Sequence, residues 1–224
     1  MLERVDDGLW CLASHFVTWG CRGSLRMSVL QTSEGLLLYS PVALGPSERD
    51  TLAAIGPVAT IVAPNLFHHF HLRAAAAAYP AARVLVPAGL EAKIGPIPGA
   101  VAITVQTRFG PAEVIDSFTV SGHWLRETLL FHRPTRTLVT ADMLYNYQAE
   151  HYPAERLFFR AVGCCGTPNV PFYHRLAITD RASVGAMIET VRAWAPKRIV
   201  MAHGRIVESA DAPQMFAAAW SRFA

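Results

Sequence analysis

The sequence carries little charge for its length: 20 Lys and Arg against 17 Asp and Glu in 224 residues, a net charge of +3. The basic residues are scattered, and no run of them provides an electrostatic footing for nucleic acid. A long unbroken apolar stretch is also missing. The most apolar region, Leu52 to Phe67, is interrupted by Gly56, Pro57 and Pro64, so it is too short and too broken to cross a bilayer. The opening MLERVDDGLW has acidic residues early and no apolar stretch behind basic ones, which does not match a secretory signal. Cysteine is scarce. Cys11, Cys21, Cys164 and Cys165 form no C-x-x-C pair, and neighbours on one backbone, such as 164 and 165, rarely aim both sulfurs at one ion. Reduced, structural thiols are expected. These absences give the expectation of a cytoplasmic protein with a small-molecule substrate and with neither nucleic-acid nor membrane partners.

What is present is a core-forming composition. Hydrophobic residues make up 52% of the chain, and no linker or low-complexity tract divides it, so one domain over residues 1–224 is expected. Strand-like segments (GLWCLAS, SLRMSVLQT, EGLLLYSPV) open the chain, followed by a helical PSERDTLAAIG with Ser47 as a candidate cap and Gly56 at its end. VATIVAP is apolar at consecutive positions, as in a strand covered on both faces. LRAAAAAYP reads as a helix ended by Pro80, ARVLVPA as a strand and GLEAKIG as a short helix. The second half repeats the theme. Strand-like VAITVQT, AEVIDSFTVSG, RETLLFHRP and RTLVTAD lead to an irregular aromatic region, Met143 to Thr179. Then come the helix DRASVGAMIETVRAWAP, the strand KRIVMAHG and a last helix with Ser209 as a candidate cap. Two sheets back to back with helices outside would bury these faces, an α/β layered fold.

The stretch Pro64 to Leu72, PNLFHHFHL, places three histidines within four residues directly after a buried strand. The same pattern recurs: His123 follows FTVSG, Asp142 follows TLVTA, and His203 follows RIVMA. Polar residues leaving the same edge of a layered sheet can converge, which is where such folds build sites. Imidazoles and a carboxylate suit zinc, then iron or manganese. His15, His132, His151 and His174 read as surface or hydrogen-bonded residues, and His71 as a neighbour of the cluster outside the ligand set. The aromatics after Asp142, among them Tyr145, Tyr147, Tyr152, Phe158 and Phe159, with Arg160, fit a pocket lining and a core equally well.

In these positions the chain resembles the metallo-β-lactamase superfamily over nearly its full length. Pro64-Asn65-Leu66-Phe67-His68-His69 stands where that family has His-x-His-x-Asp-His. Ser121-Gly122-His123 resembles its PGH segment, Ala141-Asp142 its GD strand end, and the MAHG around His203 its last ligand. The resemblance implies a four-layer αββα sandwich and metal-dependent hydrolysis of an ester, thioester, amide or phosphodiester. Pro64 and Leu66 replace the first two ligands of the first metal position, and neither donates to a metal. The second position keeps His68, His69, Asp142 and His203. The resemblance therefore implies one divalent ion on these four residues, with His123 free to act as a catalytic acid or base. Two alternatives stand beside it: a metal-free, non-catalytic member of the fold that binds a small molecule or partner, and a non-haem iron redox protein.

Overall fold

The computed structural model describes residues 1–18, 21–148 and 156–223. The first half builds a seven-stranded sheet whose spatial order follows the chain: β1 (Leu2–Asp6), β2 (Leu9–Thr18), β3 (Cys21–Thr32), β4 (Gly35–Tyr39), β5 (Val58–Val62), β6 (Arg83–Val86) and β7 (Ala100–Ala102). The strands β1 to β4 pair antiparallel, and β4 to β7 pair parallel. The change of sense follows the connections. Tight turns join β1 to β2 and β3 to β4, and helices α1 (Pro46–Ile55) and α2 (Leu72–Ala78) carry the chain back between the next ones. A third helix, α3 (Leu90–Ile94), precedes β7.

The second half builds a five-stranded sheet. It contains β8 (Ile115–Thr119), β9 (Thr128–His132), β10 (Thr137–Val139), β12 (Arg198–Val200) and β14 (Val207–Glu208) in the order β14-β12-β10-β9-β8. A turn containing Pro134 and Thr135 joins β9 to β10. Two short strands, β11 (Tyr145–Asn146) and β13 (His203–Gly204), form a parallel ladder beyond this sheet, in register Tyr145 with His203. The helices are α4 (Arg156–Ala161), a 3-10 turn over Phe172–Ala177, α5 (Arg181–Trp194) and α6 (Ala212–Ser221). Among the described residues no helix is long and apolar enough to cross a membrane.

Side-chain alternation sorts the layers. Leu36 and Leu38 of β4 face a core shared with Leu52 of α1, Leu72 of α2 and Leu90 of α3. Leu37 and Tyr39 of the same strand face inward, against Leu130, Val139 and Val200 of the other sheet. Ile61 and Val62, then Val84 and Leu85, alternate in the same way. Across the gap, Leu129, Leu138 and Ile199 face α5 and α6, where they meet Val184, Met187, Phe216 and Trp220. Because strand side chains alternate with period two, a strand covered on both faces is apolar on both, with room for an occasional small buried hydroxyl such as Thr60 or Thr128. That is what VATIVAP and TLLF show. The arrangement is helix, sheet, sheet, helix, as the resemblance implied.

Two helix starts differ from expectation. Ser47 lies inside α1, whose N-cap is Gly45 with Pro46 behind it, because proline's fixed φ suits the first turn. Ser209 accepts from the Asp211 amide in the turn ahead of α6, and the cap position falls on Asp211. The Gly56 amide does close α1, donating to the Leu52 carbonyl.

Candidate metal centre

Strand ends place three polar side chains together. His68 leaves β5 in a tight loop closed by the fully buried Asn65, whose Oδ1 accepts from the Phe67 and His68 amides at 2.8 and 2.9 Å. An asparagine side chain stands in here for a backbone acceptor. Its Nδ2 donates to Glu127 Oε2 (2.7 Å) and to Asp142 Oδ2 (2.8 Å). Asp142 follows β10. Its amide and that of Ala141 both donate to Glu127, at 2.8 Å each, and Thr140 Oγ1 also donates to Glu127. His203 sits on β13, where the next residue must be glycine. Gly204 has φ +91, and a Cβ there would lie 2.2 Å from the Asn146 carbonyl oxygen.

One ligand atom each from His68, Asp142 and His203 lies within 4.8 Å of the others, all three residues being buried. His68 Nε2 is 3.2 Å from His203 Nε2 and 3.3 Å from Asp142 Oδ2, and His203 Nε2 is 3.1 Å from Asp142 Oδ1. The far side of each ring is tied. His203 Nδ1 meets the Ser24 carbonyl at 2.7 Å, and His68 Nδ1 meets Ser40 Oγ at 2.7 Å. A carbonyl only accepts, so Nδ1 of His203 carries its proton and Nε2 of the neutral ring offers a lone pair. The same tautomer serves His68. Two imidazole lone pairs and a carboxylate then converge, which is the donor set of a divalent ion with its outer partners in place. The electrostatics favour positive charge beside the carboxylate, whether a proton on a ring or a metal ion in its place. Burial works against charge on His68, but the Asp142 carboxylate outweighs it and raises the pKa. Burial likewise works against the Asp142 anion, yet the two imidazoles hold its pKa well below the usual range.

His69 does not join this group. The loop turns between the two residues, with the His69 amide donating to the Phe67 carbonyl at 2.9 Å. Its ring is half-buried and stacks on Phe70 at 4.9 Å. Burial, then the Lys93 charge, lowers its pKa. The four-residue ligand set expected from sequence is thus three in space. His71, at the start of α2, is also outside.

His123 likewise departs from expectation. It is 1% exposed, packed between His174 (5.1 Å, stacked) and the edge of Trp220 (5.8 Å). Nδ1 accepts from the Leu125 amide at 3.3 Å, and Nε2 has no hydrogen-bond partner among the described residues. Burial brings its pKa down to about 4, against a smaller opposing effect of the nearby His174 backbone. The ring is packed in the core and lies outside the group formed by His68, Asp142 and His203, rather than facing it as the acid–base role expected from the sequence would need. Gly122 before it has no room for a side chain, since a Cβ would lie 2.4 Å from the Asp180 carbonyl oxygen.

Leu66 and Pro64, which the resemblance sets where the family has its first two ligands, offer hydrocarbon and backbone only. Leu66 packs into the core beneath α1 and α2, its amide donates to the Leu125 carbonyl, and its carbonyl accepts from Lys93 Nζ at 2.7 Å. The Pro64 carbonyl accepts from the Thr128 amide at 2.9 Å.

Several residues beside the group were not singled out from the sequence. Glu127 and Asn65 organise Asp142 and His68, and Ser40 and Ser24 tie the imidazoles. Tyr145 donates to Asp142 Oδ1 at 2.5 Å and stacks flat on His203 at 4.8 Å. One signal was available: Glu127 is a carboxylate opening the apolar run TLLF. Of the aromatic segment, Tyr147 and Phe159 stack on each other at 3.7 Å and form a small core with Cys164, while Phe158 is partly exposed. Tyr152 and His151 lie outside the described residues. Cys11 and Cys164 are buried free thiols, pushed up to about 11 and about 12 by burial. A cavity of about 180 Å³ opens beside Gly204, lined by His15, Ser24, Arg26, Gln148 and Arg205 but by none of the three grouped residues.

The fold has counterparts among solved structures. Solved structures called metallo-β-lactamases align along nearly the whole chain. One from Pontibacter korlensis aligns with TM-score 0.67 at 14% identity, over 99% of this chain and 98% of that one. VMB-1 aligns with TM-score 0.69 at 9% identity, over 100% and 98%. FIM-1 from Pseudomonas aeruginosa, described in its mono-zinc form, aligns with TM-score 0.66 at 11% identity, over 99% and 95%. No protein-family model and no curated protein matches the sequence. The chain is a divergent protein of the metallo-β-lactamase fold, with a His-Asp-His group able to hold a metal ion.

Proposed function

We propose that this protein is a hydrolase working with one divalent metal ion, zinc before iron or manganese, held by His68, Asp142 and His203. The substrate class is an ester, thioester, amide or phosphodiester, and the setting is the cytoplasm. The observation that carries the proposal is the convergence of His68 Nε2, His203 Nε2 and the Asp142 carboxylate, with the opposite nitrogen of each ring already hydrogen-bonded. Three protein ligands with an open position are the pattern of catalytic rather than structural zinc. When bound, such an ion lowers the pKa of a water and polarises a carbonyl or phosphoryl oxygen.

The chain's own residues supply the rest. Asn65 and Glu127 hold Asp142 in place, while Ser24 and Ser40 fix ring orientation. Tyr145, through its hydroxyl on Asp142 and its ring on His203, covers one side of the group and excludes water there. A single ion is favoured because Leu66 and Pro64 carry no side-chain donor for a second and His123 packs in the core. The mono-zinc form of FIM-1 is a precedent on the same fold.

A second reading, a binding protein without turnover, is favoured by one observation. Both oxygens of Asp142 are already engaged, Oδ1 by Tyr145 and Oδ2 by Asn65. Two histidines with one carboxylate are also the donor set of non-haem Fe(II) sites. Stripping the purified protein, reconstituting it separately with zinc, iron and manganese, and measuring bound metal distinguishes these readings. One equivalent retained by the wild type and lost in His203→Ala, with ester or phosphodiester hydrolysis following zinc occupancy, is expected. A protein that takes up none of the three metals refutes the proposal. One that binds zinc yet hydrolyses nothing supports the binding protein, and selective iron uptake under anaerobic conditions supports the redox site.

A further inference from the structure

Beside the loop that carries His68, the surface is aromatic, apolar and cationic. Phe70 is 76% exposed, Trp124 50% and Phe67 45% on one side, with Leu176 at 84% and Phe172 at 57% on the other. Contacts join Phe67, Trp124 and Lys93, and a backbone bond sets Trp124 beside the segment that carries Leu176. Lys93 Nζ lies 4.4 Å from the Phe67 ring centre and 5.9 Å from that of Trp124, and the two rings meet edge to face at 5.3 Å. The Trp124 amide donates to the Ala177 carbonyl at 2.7 Å, next to Leu176. Arg73, Arg126, Arg160 and Arg175 stand in the segments 65–73, 121–126 and 157–179, and the acidic residues next to them are the buried Glu127, Glu91 on α3 and Asp180, which caps α5.

Large apolar side chains left in water need a reason when they are contiguous. We infer that this face docks on an anionic membrane surface, with the rings and Leu176 entering the headgroup layer and the cations meeting lipid phosphates and carboxylates. Aromatic belts flanked by Lys and Arg are the side-chain chemistry of that boundary. A second copy of the chain fits less well, because a two-fold contact sets each patch against itself and so cation against cation. Single-stranded nucleic acid fits less well too, since aliphatic Leu176 offers no stacking face. Lying on a membrane differs from spanning one, and the missing apolar span bears only on the latter. The sequence-based expectation of no membrane partner is here replaced by a proposal of surface contact, independent of whether the protein holds a metal.

The test is co-sedimentation of the full chain with phosphatidylcholine vesicles, alone or with phosphatidylserine. Binding to the anionic vesicles is expected, weaker by roughly tenfold or more on neutral ones and in high salt. The double variant Phe70→Ser/Leu176→Ser should lose about tenfold while keeping the wild-type thermal midpoint, since both residues are exposed. Lys93→Glu should weaken binding to anionic vesicles alone. No sedimentation with either vesicle overturns the proposal. So does vesicle binding that the double variant leaves intact, a patch-dependent dimer on size exclusion without vesicle binding, or capture of a single-stranded oligonucleotide in place of vesicles.

Discussion

Two neighbouring histidine clusters in this molecule start from the same sequence signal and end differently. His68 and His203 follow buried strands and meet Asp142, and every polar atom around them has a partner. His123 also follows a buried strand, but it meets His174, Trp220 and hydrocarbon, and His123 Nε2 and His174 Nδ1 have no hydrogen-bond partner among the described residues. Burial is nearly equal, with His68 8%, His203 5%, His123 1% and His174 2% exposed. What separates the clusters is a carboxylate with its own support. Asp142 favours charge at its neighbours, whereas at His123 and His174 burial alone dominates and brings the pKa values down to about 4 and about 3. A buried imidazole is a ligand candidate only where a counter-charge and a partner for its other nitrogen come with it.

The comparison can be broken outright at Asp142. Asp142→Ala should abolish measurable zinc retention, a loss of more than about a hundredfold in affinity, whereas His123→Phe should leave zinc affinity within about twofold. Equilibrium dialysis of both variants checks this, and equal losses would erase the distinction between the clusters. A somewhat smaller effect is expected one layer out. Glu127 accepts from Asn65, Thr140, Ala141 and Asp142, and an amide in its place offers only one oxygen to them. Glu127→Gln should weaken zinc roughly 10- to 100-fold and, by leaving donors unmet, cost about 2 kcal/mol of stability in urea unfolding.

The second cluster should report itself through acid. An unfolded His174 takes a proton near pH 6.5, whereas the folded one, depressed by burial, resists protonation down to about 3. The unfolded state therefore binds more protons in that window. Stability is fully present above pH 6.5 and falls as the pH drops toward 3. His174→Phe should flatten this loss between pH 7 and pH 5, and an unchanged slope would mean that the ring is not held neutral. The smallest effect is expected at His69, whose replacement by alanine should alter zinc affinity by less than about twofold. A large loss there would bring back the four-residue ligand set.

Much of the fold was legible in the chain. Runs such as VATIVAP and TLLF announce strands covered on both faces because period-two alternation leaves no polar side, and the turn at Pro134-Thr135 and the alanine-rich helix ended before Pro80 follow from backbone chemistry. Polar residues at strand ends marked His68, Asp142 and His203, because an abrupt exit from an apolar run is a local signal. Which of two adjacent histidines would turn inward was not local. It depends on Asn65 closing the loop, and through Asn65 on Glu127, 62 residues away. The sequence by itself determined the layers, the strand ends and the donor chemistry available there, since periodicity and side-chain type are properties of single segments. Only the tertiary structure decided that His69 stacks on Phe70, that His123 sinks into the core, and that Glu127 holds the centre together. Directions of side chains and the partners of buried polar atoms are set by groups that meet only when the two sheets pack.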